Sequence, residues 1–165
     1  MSNREIIERY YREHHSELLV FATIRLHNNE EAADIVQEAF LKLLSEQRPI
    51  CENTIGNLAY TLCRHLIIDY YRRHATRTDV AHELARSTMG SDSAEHILSM
   101  RDLTEQLERS LARLAPECQD IYRLHVYGGM KARDICDATG ERYKHVEYQL
   151  GIARKHVRNY LRHIS

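Results

Sequence analysis

The chain has 165 residues, of which 43% are hydrophobic and 28% charged, and its formal net charge at pH 7 is −1. This composition is typical of a folded globular protein and excludes a disordered tail. No stretch approaches the roughly 20 consecutive apolar residues of a membrane span, and the first residues lack the apolar core of a signal peptide. We therefore expect a cytoplasmic protein without membrane insertion. The four scattered cysteines predict reduced, partly buried thiols.

The small net charge hides an uneven distribution. Residues 1–46 carry five Lys or Arg side chains against nine acids, whereas residues 104–165 carry eleven against eight. The short stretch 64–77 has four arginines and one aspartate. An acidic front followed by two basic patches suggests one basic and one polyanionic partner.

Apolar residues at helical spacing predict three helices in the first half of the chain. They cover residues 4–26, about 29–45 and about 55–74, with Asn28-Asn29 as a turn and N-cap. Residues 75–93 are small, polar and aperiodic, which indicates a linker, with a short helical turn near residues 81–86. The fold class is therefore all-α: two small helical domains joined by a flexible linker.

Four further helices are predicted in the second half, over residues 94–114, 116–127, 131–138 and 142–163. Pro116 suits a first helical turn and Gly128-Gly129 a helix end. A short helix, a turn with glycine and a long helix form the layout of a helix-turn-helix, which places its second helix in a DNA major groove.

Projected at 100° per residue, the last helix has a buried and an outer face. The predicted buried face comprises Tyr143, Val146, Leu150, Ala153, Val157 and Leu161. The predicted outer face comprises Lys144, Tyr148, Gly151 and Lys155, flanked by His145 and Ile152 on one side and Glu147 on the other. Lys144, Arg154 and Lys155 suit phosphate contacts, while base edges suit His145, Glu147, Tyr148 and Gln149. A merely solvated face is the alternative.

The second helix has a predicted apolar stripe of Ala33, Val36, Phe40, Leu43 and Leu44. Asp34, Gln37, Glu38 and Leu41 follow i, i+3, i+4, i+7 spacing on another face. This acidic patch with a leucine at its edge suits docking onto a basic helix of a partner, although charged helix faces are often only solvated.

The third helix combines aromatics and arginines. Ile55, Leu58, Ala59, Leu62 and Leu66 are predicted to face the core. The opposite face is predicted to hold Asn57, Tyr60, Arg64, Ile67, Ile68 and Tyr71, and Arg72-Arg73 close the helix. Such a face suits stacking on unpaired bases together with phosphate contacts. The preceding loop, Cys51-Glu52-Asn53-Thr54, suits a pocket for a flipped-out base. Tyrosines that bridge core and solvent are the alternative.

Three motifs, in order, resemble one family. They are Asp34 to Leu43 (DIVQEAFLKL), Asn57 to Arg73 (NLAYTLCRHLIIDYYRR), and a C-terminal series that comprises Leu111 to Pro116, Arg123-Leu124, Gly129, Asp134-Ile135, Gly140, Val146, Leu150 and Ala153-Arg154. Together they are similar to the two-domain RNA polymerase sigma factors of the extracytoplasmic-function (ECF) group, over nearly the whole chain.

The resemblance implies a division of labour. Residues 1–74 would be sigma region 2, residues 75–93 a linker threading through polymerase, and residues 94–165 sigma region 4. Core RNA polymerase would be bound by Asp34, Gln37, Glu38 and Leu41. The loop at about 49–56 and the third helix would read and melt the −10 promoter element through Asn53, Asn57, Tyr60, Arg64, Tyr71, Arg72 and Arg73. The −35 element would be read in duplex form by Arg142, Lys144, His145, Glu147, Tyr148, Gln149, Arg154 and Lys155. An anti-sigma factor is a further expected partner.

The chain departs from the family pattern in its recognition helix. His145-Val146-Glu147-Tyr148-Gln149 stands where Thr-Val-Lys-Ser-Arg is frequent, which removes two cations. We therefore expect the helix to bind DNA weakly without polymerase.

The sequence carries no nucleotide-binding loop, metal-ligand spacing or nucleophile–base signature, so we expect no enzyme, cofactor or metal. The eleven histidines are dispersed, and His14-His15 or Cys63 and His65 would be the first places to look for a metal. Two alternatives remain: a dimeric helix-turn-helix regulator that acts without delivering polymerase, and a helical protein-interaction adaptor.

Overall fold

A computed structural model describes residues 1–76 and 92–164, with side chains described for residues 1–75 and 101–163. These residues form seven helices and no strands, which confirms the all-α prediction for this part of the chain. The helices are α1 Asn3–Leu26, α2 Asn29–Leu44, α3 Ile55–Thr76, α4 Asp92–Leu111, α5 Pro116–Val126, α6 Ala132–Thr139 and α7 Tyr143–Ile164. The predicted linker at 75–93 lies mostly outside the described residues, as does the predicted turn near 81–86. Residues 75–76 of the predicted linker belong to α3, and residues 92–93 belong to α4.

The chain divides into two compact units, Met1–Met100 and Arg101–Ser165. In the first unit, α1, α2 and α3 pack against one another. The helix starts follow their capping residues: Ser2 forms a capping box with Glu5, and the Asn28 side chain accepts hydrogen bonds from the backbone of Glu30 and Glu31. The turn between α1 and α2 is closed by His27, which has a left-handed backbone (φ 53°).

The core of the first unit corrects several predicted faces. Ala33 is exposed, and Leu44 is also exposed, because α2 buries a stripe of Ala32, Ile35, Val36, Ala39, Phe40 and Leu43 instead. On α3, Leu58 is exposed, while Tyr60 and Ile67 are buried. The reason is that α3 packs against both α1 and α2, so its buried arc is wider than a single stripe.

The second unit is built around the helix-turn-helix. Ile121, Ile135, Val146 and Leu150 form a buried cluster that joins α5, α6 and α7. Gly140 ends α6 with a left-handed backbone (φ 76°) and donates its N–H to the Cys136 carbonyl. Of the predicted buried face of α7, Val146, Leu150, Ala153 and Val157 are buried, whereas Tyr143 is about half exposed and Leu161 is half-buried. None of the helices in the described ranges is long and apolar enough to cross a membrane.

Candidate nucleic-acid and protein interfaces

The acidic patch predicted on α2 is solvent-accessible. Asp34, Gln37, Glu38 and Leu41 are all exposed, and Leu41 keeps 61% of its surface in solvent. The exposure of all four predicted residues is confirmed, and their binding partner stays a proposal.

An apolar groove runs beside this patch, between α1 and α2, which the sequence reasoning did not identify. It has a volume of about 800 Å³ and shares Gln37 and Leu41 with the acidic patch. Its apolar lining includes Tyr11, Phe40 and Leu44, and the Tyr11 ring packs edge-on against Phe40 with 4.8 Å between centroids. In the sequence, this groove is indicated by Leu41 and Leu44, two leucines one helical turn apart on α2.

The loop before α3 is held in place by residues of α1. Asn3 accepts a hydrogen bond from the Ile50 N–H and donates one to the Arg48 carbonyl, both at 2.8 Å. Arg9 forms an ion pair with Glu52 at 2.6 Å. Because Ile50 is buried beneath it, the loop has a fixed base, while Cys51 to Thr54 stay exposed.

The hydrogen bonds of this loop also affect its cysteine. The Thr54 hydroxyl and backbone hydrogen-bond the Cys51 thiol and lower its pKa. Cys63, by contrast, lies inside the helical core, and burial raises the pKa of its thiol to about 12. All four cysteines are free; Cys51 is exposed, Cys63 and Cys118 are buried, and Cys136 is intermediate.

The predicted single-strand-binding face of α3 is only partly on the surface. Tyr60 is buried, and its ring packs edge-on against Phe21 with 5.3 Å between centroids. The prediction that Tyr60 lies on the exposed face is therefore wrong. A tyrosine ring is apolar enough to pack in a core. The burial of Tyr60 agrees with the alternative that tyrosines of α3 contribute to the core.

Arg64 is half-buried and positioned by the aromatic core. Its guanidinium carbon lies 5.5 Å from the centroid of Phe21 and 5.9 Å from that of Tyr60. Arg25 packs on Phe21 as well, and burial lowers the pKa of its guanidinium. The aromatic rings thus hold Arg64 in place by cation–π contacts.

The outward stripe of α3 follows i, i+4, i+7 spacing. It comprises Asn57, Thr61, Arg64, His65, Ile68, Tyr71 and Arg72. Asn57, Tyr71 and Arg72 are exposed as predicted, and Thr61 and His65 are additional members that the sequence reasoning missed. The Tyr71 hydroxyl donates to the Arg25 carbonyl, so the ring is oriented although it is 48% exposed. Arg73 is exposed and donates to the Asp69 carbonyl.

On α7, the outer face is confirmed. Lys144, Tyr148 and Lys155 are exposed, as is Arg142 just before the helix, and Tyr148 keeps 66% of its surface in solvent. Gly151 lies on the same face, and a Cβ added there would meet no atom within 4 Å. The helix backbone at Gly151 is therefore accessible to a ligand surface.

Two residues of α7 that were predicted to contact DNA, Arg154 and His145, lie against residues of α5. Arg154 is half-buried and lies 3.5 Å from Nε2 of the buried His125. Because a guanidinium only donates, His125 accepts there and donates its Nδ1–H to the Met130 carbonyl at 3.2 Å. His145 is only half-exposed and places Nε2 at 2.7 Å from Glu117. Glu147 and Gln149 are also half-exposed, and Glu147 accepts a hydrogen bond from Tyr143, whose pKa is raised by burial and by that carboxylate.

Comparison with known proteins agrees with this architecture. Residues 10–77 match the family model of sigma-70 region 2. The chain is also similar to the RNA polymerase sigma factor YlaC of Bacillus subtilis (strain 168), with 27% identity over 157 residues that cover 93% of this chain and 91% of the relative.

The all-helical fold and the family match together define a class: proteins that carry a sigma-70 region 2 domain. Both comparisons support a place for this chain among the RNA polymerase sigma factors, in the ECF group that its motifs resemble.

Proposed function

We propose that this protein binds core RNA polymerase and directs it to specific promoters. The observation that carries the proposal is that the first unit exposes two distinct faces, the acidic patch on α2 and the outward stripe of α3. One has the charge to contact a basic protein helix, and the other has the donors, ring and cations to hold single-stranded DNA.

The acidic patch would provide the polymerase contact. Asp34 and Glu38 offer charge, Gln37 offers hydrogen bonds, and Leu41 extends the contact into the groove beside α1. Charged groups at the rim of an interface set orientation and association rate, whereas a desolvated apolar contact slows dissociation. The groove would therefore slow dissociation, an effect that the charges of the patch supply poorly by themselves.

The −10 element would be melted and held by the loop at 49–56 and the outward stripe of α3. Asn53 and Asn57 would contact bases, Tyr71 would stack on an unpaired base, and Arg64, Arg72 and Arg73 would neutralise phosphates. Tyr60 has no direct part in this proposal because it lies in the core. Its role would be to support Phe21 and Arg64.

The −35 element would be bound by the second unit as duplex DNA. Arg142, Lys144 and Lys155 would hold phosphates, and Tyr148 and Gln149 would approach base edges beside Gly151. Arg154, Glu147 and His145 are engaged within the unit, so they would position the helix more than read bases. We expect no catalytic activity, a cytoplasmic site of action, and control by an anti-sigma factor that covers these faces.

The proposal is tested by retention of the chain on purified core polymerase. Asp34→Lys with Glu38→Lys should abolish retention while leaving the free energy of unfolding nearly unchanged, because both side chains are exposed. Glu13→Lys is the matched control, since it reverses an exposed charge on α1 away from the patch. Undiminished retention of the double variant would contradict the proposed docking face.

Run-off transcription with core polymerase on a promoter library distinguishes the two alternatives. A regulator that acts without polymerase delivery would bind duplex DNA yet start no transcripts with core enzyme alone. An adaptor would show no salt-dependent DNA binding with or without polymerase.

A further inference from the structure

Three potential metal ligands converge at the start of the recognition helix. They are Glu117 in the first turn of α5, Glu141 in the turn before α7, and His145 in the first turn of α7. One ligand-type atom of each lies within 4.8 Å of the other two. We propose that Glu117, Glu141 and His145 form a Zn²⁺ site that ties the recognition helix to α5.

The distances fit a shared cation. Two ligand atoms about 2.0–2.1 Å from Zn²⁺ in tetrahedral geometry lie about 3.3 Å apart. Nε2 of His145 is 2.7 Å from a Glu117 carboxylate oxygen and 4.0 Å from one of Glu141, so these two separations bracket that value. Small side-chain rotations would bring all three atoms to coordinating distance, because each side chain is partly exposed and none is locked in a core.

The donor set matches Zn²⁺ in chemistry as well. One imidazole with two carboxylates is a ligand combination for borderline cations, whereas Mg²⁺ and Ca²⁺ prefer oxygen ligands alone. Zn²⁺ would bind the imidazole through an unprotonated Nε2, so affinity should fall as the pH is lowered.

The site has a consequence for promoter binding, and this part rests on the proposed function. A bound cation would fix the first turn of α7 to α5 and would hold His145 away from the DNA. It would also neutralise two acids beside the outer face that carries Lys144 and Tyr148. Phosphate attraction to this end of the helix should therefore increase.

The experiment is a titration of the full-length chain with Zn²⁺ alone, without DNA or polymerase, by calorimetry and by NMR of the histidine ring protons. We expect one binding event that shifts the His145 resonances and raises the unfolding temperature. Glu117→Gln, Glu141→Gln and His145→Gln should each weaken binding at least about tenfold, because even the loss of an outer-shell partner costs that much. The two Glu→Gln variants preserve side-chain size, and unfolding curves without Zn²⁺ check that they fold.

Cys51→Ser and His163→Ala are matched controls, since both remove exposed potential ligands elsewhere and should leave the affinity unchanged. Substitution of Co²⁺ gives a second measurement, because a nitrogen–oxygen site lacks thiolate charge-transfer absorption. Equal Zn²⁺ affinity in the wild type and the three ligand variants would overturn the proposal, as would thiolate absorption with Co²⁺. Neither result would bear on promoter recognition, because no DNA is present.

Discussion

Tyr60 packs edge-on against Phe21 inside the three-helix core, with the ring planes at 90° and 5.3 Å between their centroids. The two residues come from α3 and α1, and Arg64 lies over both rings. This contact makes an aromatic residue of α3 part of the hydrophobic core. Of the three tyrosines of α3, Tyr60 is buried, Tyr70 is partly buried against the core and Tyr71 is exposed.

Tyr60→Ala should therefore lower the free energy of unfolding by about 3–5 kcal/mol, the usual cost of deleting a buried aromatic ring. Tyr60→Phe should cost about 1 kcal/mol or less, because the edge-on contact with Phe21 is retained. Urea denaturation of the full chain measures both. A loss below about 1 kcal/mol for Tyr60→Ala would show that the ring is not a core element.

Tyr71→Ala should affect promoter melting more than stability. Its ring is half exposed, so we expect a loss of open complex, seen as reduced permanganate reactivity of −10 thymines, with −35 binding retained. Tyr71→Phe keeps the ring but removes the hydrogen bond to the Arg25 carbonyl, and most of the melting should persist. An undiminished bubble with Tyr71→Ala would count against a stacking role.

The ion pair between Glu108 and Arg123 should make the stability of the second unit fall in acid. Arg123 donates to Glu108 at 2.7 Å and lowers the pKa of that carboxyl below its ordinary value of 4.5. A lowered pKa in the folded state contributes stability above the ordinary value, and that contribution is lost as the pH falls through the folded pKa.

Glu108→Gln should accordingly cost roughly 1 kcal/mol at pH 7, a modest amount because both side chains are over a third exposed. The difference from the wild type should shrink as the pH falls below 4.5 and through the lowered pKa of the folded carboxyl. Thermal unfolding at several pH values measures this, with the exposed Glu105→Gln as the control. A difference that grows in acid would refute the assignment.

Gly151→Ala should have opposite effects on stability and DNA binding. A Cβ at this position meets nothing within 4 Å, so removing the entropy cost of a mid-helix glycine should add about 0.5–1 kcal/mol to the free energy of unfolding. If DNA approaches the backbone there, the added methyl group should weaken −35 binding by polymerase holoenzyme. Filter binding with −35 duplexes checks this, and unchanged affinity would exclude close approach at Gly151.

The two cysteines of the first unit should differ in reactivity. Hydrogen bonds from Thr54 lower the pKa of the exposed Cys51 thiol, whereas burial raises that of Cys63 to about 12. At about neutral pH, iodoacetamide should alkylate Cys51 first and Cys63 only after unfolding, because the thiolate is the reactive species. Thr54→Val should slow alkylation of Cys51 and Thr54→Ser should not, as mass spectrometry of timed samples would show.

Much of this protein follows from its sequence alone. The helical periodicity predicts the helices, and their ends follow from Asn28 as an N-cap, Pro116 in a first turn and Gly140 as a C-cap. These signals act over a few residues, so they can be read from the sequence. The acidic patch was predictable for a similar reason: Asp34, Gln37 and Glu38 are polar residues on a helix with a clear apolar stripe. The outer face of α7 followed from the same periodicity.

Only tertiary packing decided the rest. Tyr60 and Ile67 are buried because α3 contacts two neighbouring helices, and a helical projection cannot show how wide the buried arc is. Arg154 turns towards His125, and His145 towards Glu117, because α5 supplies partners that lie 29 and 28 residues away in the chain. Periodicity reports the direction of a side chain from its own helix, whereas the partner it meets depends on how separate helices pack.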